Sequence, residues 1–147
     1  MSRATAVTAT NASATAATNY SQIGNLVQQV AQASGVRPDT LVLAPRRAEF
    51  IRGKIGYPVD WFGLTLVESP SMPANLGAGT NQDLAIAFNS VEVLVYERPV
   101  AFKVYPEIGS STATIRFAAL GYAALLASRQ PTSVGISTGT EWTPPTF

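Results

Sequence analysis

The sequence predicts an α+β fold, mainly antiparallel sheet with a long C-terminal hairpin and two short helices. Three observations carry that expectation. Between Asn19 and Gly35 the apolar residues Ile23, Leu26, Val27, Val30 and Ala31 recur at helical spacing, with Gln22, Gln28, Gln29 and Gln32 opposite. The runs 40–43, 64–67 and 84–88 are short, apolar and bounded by proline, glycine or polar turns, as strands are. Two β-rich stretches, 91–97 and 112–117, flank Gly109-Ser110-Ser111 in the manner of a hairpin.

Taken in order, residues 1–19 are nearly all Ala, Thr, Ser and Asn, with Val7 the one sizeable apolar side chain after Met1. Such a segment cannot offset its ordering entropy, so a flexible arm is expected; the other reading is an arm ordered against a neighbour or the domain's own sheet. A helix of about three turns follows over 20–33, capped by Asn19 or Ser21 and ended by Gly35. Arg37-Pro38-Asp39 is a turn before the strand 40–43. Pro45 suits the first position of a short second helix through Arg52, with Gly53 as its stop. Residues 53–62 form a loop holding Tyr57, Trp61 and Phe62, the last two expected as core plugs.

Strand 64–67 cannot continue past Pro70 and Pro73. The Asn75–Gln82 loop carries Gly77 and Gly79 but lacks the Gly-Lys-Ser/Thr ending of a phosphate loop, and leads into a strand rather than a helix. Residues 112–127 read two ways. Alanine and leucine favour helix through Phe117, Leu120, Ala124 and Ala127; alternation favours a strand with Phe117, Ala119 and Gly121 on one face and Arg116, Ala118, Leu120 and Tyr122 on the other. A last strand runs over 132–139. Two prolines stop the tail 141–147 from extending it, leaving Trp142 and Phe147 either tucked under a neighbouring subunit or exposed.

Chemistry is scarce. The 147 residues contain no histidine and no cysteine, which rules out His-dependent triads, disulfides and the usual zinc ligands. Glu92 and Glu97 fall in one strand at odd separation, hence on opposite faces, and no other carboxylate pair is held together by spacing. No enzymatic turnover, cofactor, metal or small-molecule substrate is expected. Charged residues make up 13% and the net charge is +1, so no global field favours nucleic acid or an anionic membrane. The low-charge, small-polar surface is instead inexpensive to bury against neighbours. There is neither a membrane span nor the apolar core of a signal peptide.

The succession Gly63-Leu64-Thr65-Leu66-Val67, Met72-Pro73-Ala74-Asn75-Leu76-Gly77-Ala78-Gly79-Thr80-Asn81, the Tyr96-Glu97-Arg98 hairpin and Arg129-Gln130-Pro131 leading to Thr138-Gly139-Thr140 resembles the C-terminal part of tailed-phage major capsid proteins of the HK97 fold. The resemblance runs from about Thr8 to Thr140. It implies a strand over 112–127 and a capsid domain over 20–140 that corresponds to part of a subunit, either a fragment or a reduced relative.

The resemblance further implies a structural role: copies of the chain in pentamers and hexamers of an icosahedral head, with other capsid segments or head proteins as partners. Packaged DNA would be touched only non-specifically, and assembly would occur in the host bacterial cytoplasm, ending in the virion. The implied subunit-interface candidates are Tyr57 and Trp61 in one loop and Asn75, Leu76, Gly77, Gly79 and Asn81 in the other. Arg46 and Arg47 join them, in a Pro-Arg-Arg helix start that usually follows histidine in the family and follows Ala44 here. Two alternatives are an encapsulin-like nanocompartment shell and a stand-alone α+β module binding a small ligand through its Gly-Ala-Gly loop.

Overall fold

The computed structural model describes residues 5–9, 15–105, 115–126, 129–139 and 142–143. The chain divides into two compact units, one made of residues 1–92 and 127–147, the other of Val93–Leu126. The first unit is a sheet with helices. Its strands are β1 (Thr5–Ala9), β2 (Thr40–Leu43), β3 (Thr65–Glu68), β4 (Ala85–Phe88) and β7 (Val134–Gly139), in the spatial order β1-β7-β4-β2-β3. β4 runs antiparallel to both β2 and β7, whereas β1 lies parallel to β7 and β3 parallel to β2.

Helix α1 (Ala16–Ser34) supplies most of the apolar cover of this sheet through Ile23, Leu26, Val27 and Val30. It begins before the sequence suggested. Thr15, not Asn19 or Ser21, is the cap: its hydroxyl accepts from the Thr18 N–H at 3.1 Å, while the Thr15 N–H donates to the Thr18 hydroxyl at 3.0 Å. This reciprocal pair satisfies two free amides at the helix start. Asn19 is thereby carried inside the helix and onto its buried face. Gly35 ends the helix as expected, in the left-handed conformation at φ 74°.

Against β7 the helix sits so close that a Cβ on Gly135 would lie 2.3 Å from Val30 Cγ2 and 2.8 Å from Leu26 Cδ1. That glycine therefore fixes how deeply α1 settles.

Helix α2 (Pro45–Ile55) also runs past its expected end: Gly53 lies within it, and Gly56, at φ 103°, is its cap. A glycine in a helix costs about 1 kcal/mol, which the buried Phe50 and Ile51 outweigh. Arg52 ties the last turn to β3, with 2.7 Å to Glu68, and also meets Glu49 at 2.6 Å.

Thr5–Ala9, in the segment expected to be an arm, pair residue for residue with β7 from Gly135 to Gly139.

The second unit is a two-stranded antiparallel ribbon, β5 (Leu94–Tyr105) with β6 (Arg116–Leu126). Residues 116–126 are thus strand, resolving the alternatives that the sequence left open; the expected turn at 109–111 lies outside the described residues. The expected opening of the hairpin at Val91 is instead a single 3-10 turn, Ser90–Glu92. Between Arg98 and Ala101 the register slips, so Pro99 and Val100 together oppose Gly121. The bulge gives Pro99, which has no N–H for a ladder, an unpaired place.

Candidate functional site

The candidate interface residues fall into three groups. Arg46 and Arg47 open α2 and converge on one carboxylate. Asp83, fully buried at the foot of β4, accepts from Arg46 Nε at 3.1 Å, Arg47 Nε at 3.2 Å and Arg47 Nη2 at 2.7 Å. Arg47 has no exposed surface; it also donates to the Asn19 side chain at 2.9 Å and the Thr143 carbonyl at 2.5 Å. Its guanidinium lies 5.4 Å from the ring of Trp142.

Burial pulls the pKa of Arg47 down and Asp83 pushes it back up, yet a guanidinium so placed keeps its charge. Arg47 is therefore corrected from a surface candidate to a buried structural cation. Its donors are spent inside the unit.

Trp142 requires a second correction. It is neither exposed nor tucked under another subunit: it has no accessible surface, its indole N–H donates to Ser137 Oγ at 3.0 Å, and its carbonyl accepts from the Asp83 N–H at 2.8 Å. Sequence reasoning missed this site because Arg47, Asp83, Asn19 and Trp142 are widely separated along the chain. One signal was available, namely a tryptophan in a tail otherwise poor in large apolar residues.

The Asn75–Asn81 loop closes on itself. Leu76 and Gln82 exchange backbone hydrogen bonds at 2.9 and 3.0 Å, and the Thr80 N–H reaches the Gly77 carbonyl at 3.1 Å. Gly77 holds φ 76°, which answers for a glycine there without any phosphate. Asn75, Gly77, Gly79 and Asn81 are exposed and Leu76 is half-buried. Because Asp83 follows the loop directly, the Arg46–Arg47 cluster anchors its base.

The other loop is divided between core and solvent. Tyr57 is 84% exposed, whereas Trp61 and Phe62 are half-buried against the core, in line with the plug reading. Phe62 stacks on Tyr20 of α1 with 4.6 Å between ring centroids, and the Tyr20 hydroxyl donates to the Asp60 carbonyl. Arg37 donates to the Phe62 carbonyl.

The ribbon offers the largest unpartnered apolar surface among the described residues. Phe102, Phe117 and Leu125 are 78, 73 and 71% exposed, and Val95, Val100, Val104, Tyr96 and Tyr122 are exposed as well. A two-stranded ribbon is marginally stable in water at best, and an apolar surface of this extent marks a contact site. No helix among the described residues is long and apolar enough to cross a membrane. No group of three or more metal-ligating side chains occurs among them either.

No family model matches the sequence, and no curated protein matches it. Solved structures do. A chain from Mycobacterium phage Che8 superposes with a TM-score of 0.66 at 14% identity, over 92% of this chain and 53% of that one. The holo-SrpI encapsulin complex from Synechococcus elongatus superposes with a TM-score of 0.62 at 13% identity, over 97% of this chain and 54% of that one. The fold is an HK97-like, capsid-like shell fold, α+β with antiparallel-rich sheets. The chain spans about half the length of each of these structures.

Proposed function

We propose that this chain is a structural shell subunit, or part of one, whose copies form rings and close into an icosahedral phage head around DNA. The observation that carries this reading is the β5–β6 ribbon, which leaves large apolar side chains uncovered in a fold shared with shell proteins. Burial of six such side chains is worth on the order of 10 kcal/mol before the costs of association, enough to drive assembly. Head-to-tail rings suit a subunit that presents two unlike surfaces, here the Tyr57 loop and the Asn75–Asn81 loop. Nothing in the Arg47–Asp83 pair favours turnover, because both side chains are fully buried and bonded to one another inside the fold.

The encapsulin likeness supports a second reading, a compartment that encloses protein rather than DNA. Electron microscopy of the protein expressed from its whole reading frame tests the proposal. Closed shells are expected. A protein that stays monomeric at high concentration overturns it, and nuclease-protected DNA within the shells separates the phage head from the protein compartment.

A further inference from the structure

We propose that one face of the β5–β6 ribbon docks an extended acidic polypeptide segment. Residues directly opposite each other in an antiparallel pair project to the same face. The pairs Tyr96↔Ala124, Arg98↔Tyr122, Lys103↔Ala118 and Tyr105↔Arg116 therefore gather three cations and three tyrosines on one side. The pairs Val95↔Leu125, Phe102↔Ala119 and Val104↔Phe117 place the other side almost wholly in hydrocarbon, with Glu97 its one charge among the described residues. The bulge maintains this segregation, because two residues opposite Gly121 leave Arg98 and Ala101 on the same side.

Arg98, Lys103 and Arg116 are all exposed, and none of them forms an ion pair among the described residues. Lys103 and Arg116 occupy a diagonal of the ladder, a separation of about 7 Å at which like charges repel. This arrangement works against the ribbon's own stability and suits an anion laid across it.

A polypeptide fits better than nucleic acid. Three cations neutralise at most about three phosphates, too few for firm binding at physiological salt. Across the bulge, Arg98 and Lys103 lie opposite Tyr122 and Ala118, four residues apart on β6, so the step between them is about 13 Å at the rise of a strand. Leu120, Ala118 and the tyrosine rings fill the intervals. An extended segment with two carboxylates four residues apart, hence on one face, and an apolar side chain between them on that face matches that spacing. This inference rests on the ribbon alone and holds for a shell protein or for any other.

The test is fluorescence anisotropy of the whole chain with three labelled probes: a short Val/Thr peptide bearing two glutamates four residues apart, its lysine counterpart, and a short oligothymidylate. Saturable binding of the acidic peptide is expected, weakened at least about ten-fold by K103E/R116E and separately by R98E, and changed less than about two-fold by F102T on the opposite face. Circular dichroism and melting curves confirm that the variants fold. Absence of binding, equal binding of the lysine peptide or the oligonucleotide, or indifference to the charge reversals overturns the proposal.

Discussion

Arg47 binds together parts of the chain that otherwise share no strand or helix: α1 through Asn19, the foot of β4 through Asp83, and the segment after β7 through Thr143 and Trp142. Removing one partner of a buried pair strands the other as an uncompensated charge, so Arg47→Ala should cost about 3–5 kcal/mol in urea unfolding. Arg46→Ala, with its side chain partly in water, should cost less than about 1 kcal/mol. Equal costs for the two variants would contradict the division of roles. A second residue-scale prediction concerns Asp39. Burial raises its pKa, but the Ser90 hydroxyl and N–H and the Thr40 hydroxyl hydrogen-bond the carboxylate and bring it below its ordinary value. The folded pKa lies under the unfolded one, so this contribution is complete above about pH 4 and is lost as pH falls through the folded value. Asp39→Asn should flatten the acid limb of a stability–pH curve and leave its neutral limb level.

Among the elements, α1 and its glycine seat are the most exacting contact. Gly135→Ala places a methyl group inside the van der Waals radii of Val30 and Leu26 and should destabilise by about 1–3 kcal/mol in thermal unfolding. The double variant G135A/V30A should recover part of the loss, because the smaller side chain vacates the clash. These elements were unevenly legible in the sequence. Ile23, Leu26, Val27 and Val30 announced α1 by periodicity, and Gly35 announced its end, because both signals are local. The start at Thr15 was hidden in a run of small polar residues, where a Thr–Thr capping pair looks like composition rather than structure. Residues 116–126 were ambiguous for a different reason. Alanine and leucine carry helix propensity, and only the partner strand Leu94–Tyr105 makes the extended form favourable, a choice made by pairing and not by the segment itself. Gly121, awkward in either reading, sits opposite the bulge.

At the level of the molecule, the two loops named from the sequence are separable from the core, and this makes them testable. Tyr57→Asp and Leu76→Asp should each leave the melting temperature of the isolated chain within a few degrees, since neither side chain belongs to the core cluster. Each should block co-assembly with unmodified subunits, read by sedimentation; normal co-assembly would remove these loops from the interface. The loops were legible as Gly- and Pro-punctuated turns, and Arg46 and Arg47 as a helix start. That Arg47 points inward was not, because burial of a cation depends on a carboxylate brought from Asp83 by the fold.

The ribbon is an excursion between β4 and β7, and β7 is the strand that joins β1 to β4. During synthesis, then, the ribosome delivers β1, both helices, β2, β3 and β4 long before the strand that unites them. The nascent chain waits through the whole ribbon for Val134–Gly139, and then for Trp142 to close over Arg47. The sheet is therefore completed only after the whole ribbon has been made. Partial products lack the seat for α1 at Gly135 and the Trp142 ring and Thr143 carbonyl that meet Arg47, so the cluster behind the Asn75–Asn81 loop is finished only once the chain has passed residue 143.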